Sequence, residues 1–142
     1  MQSYAPVPGF PIARSAFGAV LLALAFAFAV PAPAAAFEAG DVGEGRKVFK
    51  VCKNCHSVKE GKTGTFGPNL YQVVGRVAGA VPGYPYSETF ATADFAWTPE
   101  RIDEFITNPS GRYPDTKMKF KGLPDAGDRA NVIAYLIAAG ER

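Results

Sequence analysis

Both cysteines and the only histidine of this chain stand within five residues, Cys52-Lys53-Asn54-Cys55-His56. Two thiols three positions apart can each form a thioether to one of the two vinyl groups of a haem. C-x-x-C-H is the spacing of c-type haem attachment. The adjacent imidazole can then reach the iron as its proximal ligand. Three other uses of the cysteine pair fit less well. A thioredoxin-like dithiol sits in a βαβ context that this sequence lacks. Structural zinc takes four ligands, and beyond these three no Cys or His remains. A disulfide across C-x-x-C closes too small a loop to constrain the chain much.

An electron-transfer haem needs a second axial ligand, and a thioether stabilises ferrous iron relative to a second imidazole. Of the two methionines, Met1 belongs to the N-terminal leader described below, which leaves Met118. A lone Met is often core filler. Met118, however, lies between Lys117 and Lys119 in a polar stretch, a poor place for filler. A peroxidase, or a gas-sensing module, needs an open iron site, and the peroxidase also needs a distal acid–base group. With no second histidine and Met118 closing the site, the pattern points to an electron-transfer protein and not to an enzyme.

Three helices must position these ligands. The first starts at Asp41, with Glu44 three residues on in the manner of a capping box. Gly45, Val48, Phe49 and Cys52 follow on one face, so the attachment motif falls at the end of this helix. The second has Thr98 as N-cap and Pro99 in the first turn, a buried stripe of Ile102, Phe105 and Ile106, and a stop at Asn108-Pro109. The third runs from about residue 125 to 139 with Val132, Ile133, Leu136 and Ile137 inward and Gly140 as a left-handed terminator. A short helix is expected over 70–75. The segments 61–68, 77–85 and 110–124 read as Gly- and Pro-rich loops, and no alternating strand is evident. About a hundred residues with so much loop would have a thin core, and a buried haem supplies the missing apolar mass.

Residues 1–36 differ from the rest. One charge, Arg14, precedes fifteen residues (16–30) without a polar side chain, and then come Pro31, Pro33 and Ala34-Ala35-Ala36. This order reads as a signal peptide cleaved after Ala36, leaving residues 37–142 as one exported domain. The alternative is an uncleaved anchor that holds the domain on the periplasmic face of a membrane. Export also places the cysteines where free thiols would oxidise, and haem attachment consumes both. From residue 37 on, fourteen basic residues stand against thirteen acidic ones, a net charge of +1. Six basic residues fall in 46–62 and four in 112–121, while five acids fall in 88–104. The molecule is therefore expected to be a dipole with its basic end at the haem ligands, or else these are ordinary solvated charges.

An ordered series of motifs spans nearly all of residues 40–140. It comprises G-D-x-x-x-G with Phe49, C-K-N-C-H, G-P-N-L at 67–70, V-G-R at 74–76 and G-Y-P-Y-S at 83–87. Trp97, T-N-P at 107–109, T-K-M-K-F at 116–120 and A-Y-L at 134–136 complete it. With these the chain resembles class I cytochrome c, in particular the small bacterial periplasmic members related to mitochondrial cytochrome c. The resemblance implies an all-α fold, three main helices and long loops wrapped around one covalently attached haem c. It implies Cys52 and Cys55 as attachment points and His56 and Met118 as axial ligands of the iron. Pro68 corresponds to the residue whose carbonyl accepts from the ligand imidazole. Arg76, Tyr86, Trp97 and Thr116 correspond to residues that bond or neutralise the haem propionates, whose burial unpaired would be costly. Phe120 corresponds to an aromatic covering the haem edge, and Gly45, Phe49 and Tyr135 to the crossing of first and last helices. Three positions depart from the mitochondrial pattern: Phe105 for a tyrosine, Phe90 for a polar residue, and Asp115 for a glycine. The implied function is a monomeric periplasmic carrier of single electrons. It would run from a quinol–cytochrome c reductase to a terminal oxidase or photosynthetic reaction centre, docking through a lysine-rimmed haem edge. Neither nucleic acid nor a small-molecule substrate is expected.

Overall fold

Asp41 decides where the first helix begins. Its carboxylate accepts from the Glu44 N–H at 2.7 Å and caps α1 (Val42–Val48). Beyond Phe49 the chain continues in tight turns. The Cys52 N–H donates to the Phe49 carbonyl at 2.9 Å, and the Cys55 and His56 N–H groups both donate to the Cys52 carbonyl, at 3.0 and 2.9 Å. The attachment motif therefore extends from the helix end, as its spacing predicts. These observations come from a computed structural model, which describes residues 9, 37, 38 and 40–141. The expected leader, its cleavage after Ala36 and the alternative anchor lie outside the described residues.

Four further helices follow: α2 (Glu88–Ala91), α3 (Pro99–Thr107), α4 (Pro109–Arg112) and α5 (Ala126–Gly140). Thr98 caps α3 by accepting from Arg101, with Pro99 in the first turn where its missing N–H costs nothing. Asn108-Pro109 does more than stop this helix. The Asn108 side chain accepts from Gly111 at 3.1 Å and starts α4, inside a stretch whose sequence reads as loop. Among the described residues the extended backbone is one isolated antiparallel bridge, Val77 with Ala96.

α1 and α5 cross closely at Gly45. A Cβ there would overlap the Asn131 backbone and stand 2.8 Å from the Tyr135 Cβ, so only hydrogen fits. Phe49 and Tyr135 pack beside the crossing with ring centroids 5.2 Å apart, and the Asn131 side chain accepts from the Asp41 N–H at 2.7 Å. The core joins Phe49, Val73, Ile102, Val132, Ile133, Tyr135 and Leu136, with Ile133 wholly buried. α3 is tied to α5 by Arg129, which pairs with Asp103 at 2.7 Å and donates to the carbonyls of Leu123 and Pro124. The described residues from 40 to 141 belong to one compact unit. No helix among the described residues is long and apolar enough to cross a membrane.

Two local expectations are corrected. Residues 70–75 form two successive turns instead of a helix. Gln72 takes a positive φ of 52°, which breaks the right-handed run. Gly140 is not a left-handed terminator but the last residue of α5. Its small size serves a contact instead: a Cβ would stand 3.1 Å from the Gln72 Cα, and its carbonyl accepts from the Gln72 amide at 3.2 Å.

Candidate functional site

Between these elements lies a cavity of about 680 Å³, within the range of roughly 300–1,000 Å³ usual for cofactor sites. Its lining includes every site residue expected from the sequence: Cys52, Cys55, His56, Pro68, Arg76, Tyr86, Trp97, Thr116, Met118 and Phe120. These come from six separated stretches of chain, so the fold alone brings them together.

The turn after α1 delivers the two thiols and the imidazole. Burial, and secondarily the neighbouring Cys55, push the Cys52 thiol up to about 11. The His56 Nδ1 lies 2.8 Å from the Pro68 carbonyl oxygen. A carbonyl only accepts, so Nδ1 carries the proton and Nε2 keeps its lone pair. Burial lowers the His56 pKa and the Pro68 bond partly opposes this, leaving the neutral imidazole that a metal requires. Gly67 lies flat against this ring, where a side chain would strike it. The Tyr84 hydroxyl donates to the Phe66 carbonyl at 2.9 Å and fixes the loop before Gly67.

Arg76 and Trp97 are set side by side by the bridge region. The Gly75 N–H donates to Trp97 at 2.8 Å, the Trp97 N–H to Arg76 at 2.9 Å, and the Ala78 N–H to Phe95 at 2.9 Å. The Arg76 guanidinium donates to the carbonyls of Tyr71 and Asn69 at 2.8 and 2.6 Å, and so also holds the turn after Pro68. Burial raises the Tyr86 pKa, with the Val81 backbone and then the Arg76 charge opposing, so the phenol stays protonated. Phe90, Phe95, Trp97, Phe105 and Tyr113 form a continuous aromatic cluster, with Phe90–Tyr113 at 5.0 Å and Trp97–Phe105 at 5.3 Å. Both aromatic departures from the mitochondrial pattern, Phe90 and Phe105, lie in this cluster and line the cavity. Both are held there by ring packing.

Met118 sits on a strap, residues 113–120, held at several points. Buried Thr116 donates its N–H to Tyr113 at 3.0 Å, and its hydroxyl accepts from the Met118 N–H at 3.3 Å. The Lys117 ammonium donates to the carbonyls of Pro85 and Tyr86 at 2.6 and 2.9 Å. This lysine is therefore committed to the fold, and the exposed cations nearest the motifs are Lys53 and Lys119.

One cavity residue escaped the sequence reading. Ser87 is buried, and its hydroxyl has no hydrogen-bond partner in the protein. Its only signal was its place at the end of G-Y-P-Y-S, where it looks like an ordinary turn residue. A buried hydroxyl without a partner is costly, and here it borders the cavity. Together with two thiols, a neutral imidazole, a thioether and a largely apolar wall, it fits a flat apolar group that carries acidic substituents and a metal of intermediate softness. Haem c is such a group.

The cytochrome c family model matches residues 42–139. This chain belongs to the cytochrome c family. It is 44% identical over 119 residues to cytochrome c-554 of Methylosinus trichosporium, covering 84% of this chain and 89% of that one. It is 42% identical over 103 residues to cytochrome c2 of Rhodomicrobium vannielii, covering 72% and 82%. To the cytochrome c-type cyt cy of Rhodobacter capsulatus it is 47% identical over 98 residues, covering 68% of this chain and 48% of that protein. As a cytochrome c it carries covalently attached haem c, for which Cys52 and Cys55 fit the attachment motif. It is a monohaem electron carrier whose partners are redox proteins, not an enzyme.

Proposed function

We propose that this cytochrome c is an exported carrier whose haem is attached through Cys52 and Cys55 and ligated by His56 and Met118. It would run between a quinol–cytochrome c reductase and a terminal oxidase or photosynthetic reaction centre. The observation that carries the reading is the convergence of these four side chains on one cavity. The bound haem supplies a one-electron ferric–ferrous couple. The chain's residues do the rest. The Pro68 carbonyl orients His56 by holding its Nδ1 proton, and the docked strap presents Met118. Arg76, Tyr86, Trp97, Thr116 and Ser87 supply donors for the haem carboxylates, and Phe120 shields the cavity from water. A cavity built from so many tied segments changes little when one electron is added or removed, which keeps reorganisation small.

Residues 1–36 act in this reading as a cleaved signal peptide, with the domain from Phe37 delivered to the periplasm as a monomer. The family model matches from residue 42 onward, after this segment. An uncleaved leader would hold the same domain on the periplasmic face of the membrane. Lys53 and Lys119, exposed near the two ligand motifs, would steer acidic partner faces. The test is reduction and oxidation of the holoprotein by quinol-reductase and oxidase membranes across ionic strength. Fast turnover that slows steeply with salt supports the reading. Slow, salt-insensitive turnover with both contradicts it, and intact mass of the exported protein decides leader cleavage.

A further inference from the structure

α2 begins without the side-chain cap its sequence offers. Ser87 occupies the N-cap position with extended backbone, yet its hydroxyl makes no capping bond. The cap comes instead from a distant residue: the Asp115 carboxylate accepts from the Thr89 N–H at 3.0 Å, across 26 residues. That backbone bond, and after it the Thr89 hydroxyl, holds the Asp115 carboxyl below its usual range. Asp115 stands three residues before Met118 on the strap. On the other side of Thr116, Lys117 grips the carbonyls of Pro85 and Tyr86. The strap and the segment 85–89 are therefore joined by an acid and a base that flank Thr116.

From this geometry we infer that Asp115 is a positioning residue for Met118, clamping the strap to the start of α2 and relieving Ser87 of its capping role. The clamp has two consequences. The Ser87 hydroxyl is left at the cavity wall, where it can donate to an acidic group of the bound haem. Opening of the strap, which must precede replacement of Met118 by another ligand, has to break the Asp115–Thr89 bond. Losing an N-cap shifts a local equilibrium by about fivefold. The apparent affinity of an incoming ligand scales with the fraction of open strap, so it should rise by about the same factor.

The inference rests on Met118 being an axial ligand, and the test separates the two. Imidazole is titrated into the ferric holoprotein while the Met–iron charge-transfer band is followed. Absence of that band in the wild type would remove the ligand assignment itself. With the band present, Asp115→Ala should bind imidazole about fivefold more tightly, whereas Asp115→Asn, which keeps an acceptor oxygen for Thr89, should stay within about twofold of wild type. Asp41→Ala removes a comparable cap from α1, away from the strap. It should lower the thermal midpoint while leaving imidazole affinity unchanged. An Asp115→Ala variant with wild-type affinity, or an Asp41→Ala variant with an equal gain, would overturn the clamp.

Discussion

Gly67→Ala should be among the most damaging single-methyl additions in this chain. Gly67 is buried and its φ is not positive, so the substitution carries no backbone strain and its effect is steric. A Cβ built there would stand 2.6 Å from Nδ1 and 2.7 Å from Nε2 of His56, with Cε1 closer still. To restore ordinary contact the ring must retreat by roughly 1 Å. Such a movement breaks the 2.8 Å bond to the Pro68 carbonyl. Overpacking of this kind costs about 1–3 kcal/mol, and the lost hydrogen bond about 1 kcal/mol. Their sum of about 2–4 kcal/mol is a large part of a small domain's stability. It corresponds to a midpoint lowered by on the order of 10–20 °C for about a hundred residues. The assay is thermal melting of the ferric holoprotein, with its visible spectrum recorded alongside. A variant melting within about 3 °C of wild type with an unaltered spectrum would refute the claim that Gly67 seats the His56 ring.

Three further outcomes are expected. Met118→Ala should abolish the Met–iron charge-transfer band and let the ferrous protein bind carbon monoxide; an unchanged spectrum would dismiss Met118 as a ligand. Lys53→Glu and Lys119→Glu should each slow reaction with membrane redox complexes at low salt and converge on wild type at high salt, where charges are screened. Equal slowing at all ionic strengths would mean that they do not act by steering. The Asp115 pKa is depressed in the folded protein, so its stabilising effect is present above the ordinary carboxylate pKa and fades as pH falls through the lowered value. Wild type should therefore be more stable than Asp115→Asn at neutral pH and lose that advantage on acid titration, a pattern that parallel titrations of the two proteins would reveal or exclude.

Local signals carried much of the fold. Asp41, Thr98, Pro99 and Asp125 each stand where a helix begins, because capping is a short-range hydrogen bond that residue type nearly determines. Of the residues that line the cavity, Cys52, Cys55, His56 and Met118 were legible from C-x-x-C-H and the single remaining Met, whereas Pro68, Arg76, Tyr86, Trp97, Thr116 and Phe120 were legible only through the resemblance to class I cytochrome c. What stayed hidden depends on partners distant in sequence. α2 and α4 are one turn each, too short to show periodicity, and α2 takes its cap from Asp115. Gly140 looked like a terminator because its contact, Gln72, is 68 residues away. Lys117 read only as one of the basic residues beside Met118, whereas its ammonium is engaged by two carbonyls of another loop. Ser87 resembled a turn residue until its burial without a partner was apparent.

The most direct test of the closed His56–Met118 iron site is the visible spectrum of the purified holoprotein, oxidised and reduced, with and without carbon monoxide. The expected result is a Met–iron charge-transfer band in the ferric state and a ferrous spectrum that carbon monoxide leaves unchanged at neutral pH. Ready carbon monoxide binding by the wild-type protein would contradict it and reopen the enzyme and sensor readings.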